Sequence, residues 1–69
     1  MSIVVNIYYS GENGAARKFA HEMISSGTVD AIRKEEGIIR YDYFFPMGDE
    51  VTVLLIDIWE NQESIVLHH

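Results

Sequence analysis

The nine residues Val51–Trp59, VTVLLIDIW, constrain the fold of this chain more than any other stretch. They are rich in β-branched and aliphatic side chains, which pack well on a pleated surface, so they read as a strand. Strand side chains alternate. Thr52, Leu54, Ile56 and Ile58 therefore share one face, and Val51, Val53, Leu55, Asp57 and Trp59 share the other. A strand apolar on both faces is normally central and covered on both sides. The first row suits a layer of helices. The second carries an acid and an indole, and must be covered by something else.

The rest of the chain supplies the neighbours of that strand. Ile3–Tyr9 alternates as a first strand, with Val4, Asn6 and Tyr8 on one face. Glycines and Asn13 break it before a helix, for which Ser10 or Asn13 is the expected cap. Ala16, Phe19, Ala20, Met23 and Ile24 recur at helical spacing. Gly27 interrupts that helix, Thr28 is placed to cap a continuation, and Gly37 closes it. Ile38–Phe45 is a second strand, with Ile38, Arg40, Asp42 and Phe44 on one face. The turn Pro46-Met47-Gly48-Asp49 is short enough to make strands two and three a hairpin. Asn61 is the expected cap of a last helix, with Glu63 in its first turn. The order β-α-β-β-α is an α+β, ferredoxin-like split βαβ layout with an antiparallel sheet and its helices on one face. Asn6 and Arg40/Asp42 are then expected beside Asp57 and Trp59 on the other face, buried by a second subunit.

Totals narrow the possibilities. Sixty-nine residues make one domain, 1–69, with a small core. The chain has no cysteine, so neither disulfides nor four-cysteine zinc sites can stabilise it. A net charge of -6 argues against nucleic acid and against anionic membrane as partners. No basic, apolar leader opens the chain and no stretch approaches a membrane span, so a cytoplasmic location is expected.

Four segments, VVNIYY, IRKEEG, RYDYF and LIDIWENQESIVLHH, together resemble the antibiotic biosynthesis monooxygenase (ABM) family, a dimeric α+β barrel fold. The last segment matches the family's habit of a strand ending in Trp, then a helix with His nine residues on, here Trp59 and His68. The resemblance implies a homodimer. It also implies a completed second helix and a fourth strand. The sequence ends at His69, so a C-terminally incomplete domain, lacking that last strand, is expected.

Some members oxidise phenolic or anthrone-like aromatics with O₂, using no metal and no cofactor, because the deprotonated substrate is itself the electron donor. Such a site needs an apolar pocket and donors aimed at a developing oxyanion. Asn6, the Trp59 indole and His68 are side chains of the right type for such donors and are the expected catalytic groups, and alternation puts Tyr8, Arg40, Phe44 and Asp57 on the same face as expected substrate-binding residues. Plainer roles stand beside these. A tryptophan ending a strand is more often a core aromatic with one hydrogen-bond partner, a helical histidine more often a packed one, and Asn6 is as readily a bulge or dimer contact. Asp57, if buried, needs a partner, and Arg40 is the expected one. His21, His68 and His69 do not make a metal set, because adjacent helical residues point about 100° apart. A non-catalytic small-ligand binder or stress-response dimer, and a pure dimerisation module, are the other functions open to this scaffold.

Overall fold

In the computed structural model, which describes the backbone of residues 1–68 and the side chains of residues 1–66, three strands form one sheet in the order β1-β3-β2. The strands are β1 (Ile3–Ser10), β2 (Ile38–Phe44) and β3 (Thr52–Trp59). Helices α1 (Ala15–Ser25) and α2 (Thr28–Ile32) lie between β1 and β2, and α3 (Gln62–His68) follows β3. Both outer strands pair antiparallel with β3, so they run parallel to each other with β3 between them. That is the split βαβ arrangement, and the stretch richest in apolar residues is its central strand.

The helical region breaks at Gly27, whose φ of 84° lies in the left-handed region. Two expected caps are absent. Gly14 occupies the N-cap of α1 without a side-chain bond, and Gly27 that of α2, while the Thr28 hydroxyl pairs with Ser26 at 2.8 Å. Asn61 does cap α3, accepting from the Ser64 amide at 2.9 Å.

The layers are assigned the other way round from the sequence expectation. Val53, Leu55, Asp57 and Trp59 are buried, Trp59 completely. They lie beneath Ala16 and Ala20 of α1 and Val29 and Ile32 of α2, with Ile65 of α3 against the same cluster. Full burial of the indole contributes roughly 2–3 kcal/mol, so this row is the core of the domain. Thr52, Leu54, Ile56 and Ile58 instead form the centre of an open sheet face and are only half-buried. Two apolar rows on one strand do not say which of them the helices cover.

Register decides which side chains accompany each row. Asn6, Ile56 and Asp42 lie side by side, as do Tyr8, Leu54 and Phe44, and Val4, Ile58 and Arg40. These three rows make the open face. Under the helices the corresponding rows are Val5–Asp57–Tyr41 and Ile7–Leu55–Tyr43. Between Ile38 and Arg40 the pairing slips by one residue, a β-bulge that leaves Ile39 over half exposed.

One glycine ties α3 to this frame. Gly37 has φ 88°, and a Cβ built on it would lie 2.5 Å from Ser64 Cβ. Its carbonyl also accepts from the Glu60 amide at 2.8 Å. The first turn of α3 thus rests on a backbone that has no side chain to keep it away.

Candidate functional site

Asp57 is the one buried charged side chain among the described residues, 8% exposed. Its neighbour two residues on projects from the same face of the strand, and the Trp59 indole Nε1–H donates to Asp57 Oδ2 at 2.6 Å. A carboxylate taken out of water must be hydrogen-bonded, and this bond meets half of that need. Asp57 Oδ1 is buried with no hydrogen-bond partner. Arg40, the expected partner of Asp57, projects from the opposite face and pairs with Asp42 at 3.3 Å.

Three phenols share the acid's face of the sheet. Tyr41 lies directly across from Asp57 on β2, and Tyr43 follows it on the same face, the two rings meeting edge-on at 5.9 Å. Tyr9 packs against both core clusters from β1. Burial first, then the Tyr43 hydroxyl and charge, and further off Tyr9 and the Asp57 charge, push the Tyr41 phenol well above its ordinary value of 10.0. Burial raises Tyr9 as well, with Tyr43 and Asp57 adding to it. Each of these is a hydroxyl held in its donor form. The helix layer thins toward β1, where Val5, beside Asp57, is half-buried and Ile7 is exposed.

The sign of these shifts sets a pH dependence. A phenol whose value is raised by folding contributes stability that is fully present below pH 10.0, and it is lost as pH rises toward the folded-state value. Alkaline titration should therefore show thermal stability falling above about pH 10, with part of the tyrosinate absorbance appearing only with unfolding. Smooth tyrosinate formation by the folded protein would contradict this burial.

The family model described as antibiotic biosynthesis monooxygenase matches residues 2–69. The chain belongs to that family. ABM domains include monooxygenases, so a monooxygenase-like domain is what the residues around Asp57 must be measured against. No curated protein matches this chain significantly.

In this ABM domain the expected site residues divide between two faces. Asp57 and Trp59 are together under the helices. Asn6, Tyr8, Arg40 and Phe44 lie on the open face, separated from them by the thickness of the sheet, so no single pocket within one chain collects all six. The backbone of His68 is in α3, but its side chain lies outside the described residues. The Trp59 N–H, expected to point at substrate, is occupied by Asp57. Tyr9 and Tyr41 were not among the expected site residues. Once Asp57 is known to face the helices, register puts Tyr41 across from it, and alternation puts Tyr9 on the same face, opposite Val53. Among the described residues, no group of three or more His, Asp or Glu is placed to hold a metal ion, and no helix is long and apolar enough to cross a membrane.

Proposed function

We propose that this ABM domain oxidises a small phenolic aromatic with dioxygen, with Asp57 taking the substrate's proton. The observation behind the proposal is the buried Asp57 carboxylate, with one oxygen held by the Trp59 indole and the other without a protein partner. A carboxylate oxygen in an apolar layer is a strong acceptor for an incoming O–H or acidic C–H. Removing that proton makes the aromatic an electron donor toward O₂. One oxygen atom then ends in the product carbonyl and the other leaves as water. Tyr41, across from Asp57 and hydrogen-bonded to Tyr43, and Tyr9 on the same face supply the hydroxyls nearest to where an oxyanion would develop. Trp59 acts through Asp57 by fixing the carboxylate, and the thin cover over Val5 and Ile7 is the proposed approach. Oxygen uptake with a panel of hydroxylated aromatics tests this. Turnover of at least one phenol is expected. Measurable binding of the panel without uptake would leave a non-catalytic binder instead.

The same proposal has a second copy of the chain covering the open sheet face. Val4, Tyr8 and Phe44 are exposed there around the half-buried Leu54, Ile56 and Ile58, a contiguous apolar patch of the kind that marks an interaction surface. An isologous contact, sheet on sheet, would bury both copies of that patch. Ile56→Glu, at the centre of the face, should convert a sedimenting dimer to monomer while helical circular dichroism persists. A variant that sediments as the wild type would remove this face from the interface.

A further inference from the structure

We infer that the hollow at the β2 bulge is a binding site for a small aromatic carboxylate, anchored by Arg40. The hollow has a volume of about 240 Å³ and is lined by Arg33, Ile38, Ile39, Arg40, Tyr41 and Asp42. Its geometry follows from the bulge. The extra residue turns Ile39 outward, so an apolar wall stands beside a guanidinium on an edge strand. A space of this size lies just below the usual range for drug-sized ligands, which suits a single ring.

The two arginines are not equivalent. Arg33 reaches over from the end of α2 and donates to the Tyr41 carbonyl through Nε at 3.1 Å and Nη2 at 2.9 Å. Its Nη2 also donates to Asp42 Oδ1 at 2.8 Å. Arg33 is thereby a fixed strut. Arg40 meets the other oxygen of the same carboxylate only through Nε, at 3.3 Å. Among the described residues, none accepts a hydrogen bond from its two terminal nitrogens. Asp42 aligns the guanidinium without using its fork. A planar fork with two unengaged N–H pairs matches the geometry of a carboxylate, which it binds bidentately.

Charge weighs against an anion at long range, since the chain carries a net -6. That field is damped over about 8 Å at physiological salt, whereas a bidentate contact acts at hydrogen-bond distance. The local contact wins where an apolar wall lowers the competition from water, as Ile38 and Ile39 do here. Tyr41 also lines the hollow, and it lies across from Asp57 in the register. The inference stands on the hollow and on Arg40 at the outer edge of the sheet, independently of any oxygen chemistry at Asp57. It requires the proposed sheet-on-sheet contact, centred on Ile56 of the middle strand, to leave that edge uncovered.

Benzoate is the probe, titrated calorimetrically into the whole chain with benzyl alcohol as the neutral counterpart, and followed by amide shifts in NMR. Wild type should bind benzoate in preference to the alcohol, with shifts centred on Ile39–Asp42. Arg40→Gln should weaken benzoate about tenfold, the equivalent of one charge-assisted hydrogen bond, with circular dichroism unchanged. Arg40→Lys keeps the charge without the fork and should fall between the two. Equal affinity in wild type and Arg40→Gln would overturn the inference. So would equal binding of acid and alcohol, or shifts centred elsewhere. If Arg40→Gln does not fold, full affinity in Arg40→Lys would overturn the proposed fork geometry.

Discussion

Gly37→Ala is expected to lower the unfolding free energy by about 3 kcal/mol, a large share of the roughly 3–10 kcal/mol available to a domain of this length. Two costs combine. A non-glycine residue at φ 88° is strained by about 1–2 kcal/mol. The added methyl would also lie 2.5 Å from Ser64 Cβ and closer still to its hydroxyl, an overlap that costs about 1–3 kcal/mol or displaces α3. Gly48→Ala separates the two contributions. Its φ of 83° is nearly the same, but nothing lies within 4 Å of the new atom, so only the conformational cost of roughly 1–2 kcal/mol should appear. Urea unfolding of both variants measures the difference. Equal losses would mean that α3 does not rest on Gly37. Adding Ser64→Gly to Gly37→Ala should give less than the sum of the single losses, because removing the Ser64 side chain relieves the overlap that the new methyl creates.

Trp59→Phe should cost about 3 kcal/mol in the same assay. The phenyl ring leaves part of a completely buried site empty and donates nothing to Asp57. A charge-assisted hydrogen bond contributes about 1.5–3 kcal/mol, and the carboxylate left behind has no partner on either oxygen. Asp57→Asn with Trp59→Phe should again be less destabilising than the two single losses added, by about 1–2 kcal/mol. Additive losses would show that the indole–carboxylate bond is absent in solution.

The same pair explains what could and could not be read from the sequence. β3 as the central strand, the βαββα order, the break at Gly27 and the Asn61 cap all follow from local patterns whose physics is local. The assignment of faces does not. Both rows of β3 are apolar enough for a core, and Asp57 made its own row look like the poorer candidate. Burial becomes tolerable because the residue two positions on carries the one indole in the chain, within reach on the same face. An acid at i and a tryptophan at i+2 of a strand was the available signal. Asn6, Tyr8, Arg40 and Phe44 followed the face error, since alternation groups residues within a strand, and only register says which groups meet. The bulge at Ile39, which shifts that register by one, has no glycine or proline to announce it.

The most direct test compares oxygen uptake by Asp57→Asn and Asn6→Ala, each checked for native circular dichroism, on whichever phenol the wild type consumes. With the reaction at the buried carboxylate, Asp57→Asn should lose about a hundredfold or more in kcat, the scale of a lost general base. Asn6→Ala, on the far side of the sheet, should stay within about threefold of wild type, an effect of under 1 kcal/mol on the barrier. Near-normal turnover by Asp57→Asn with loss in Asn6→Ala would place the chemistry on the open face and contradict the account.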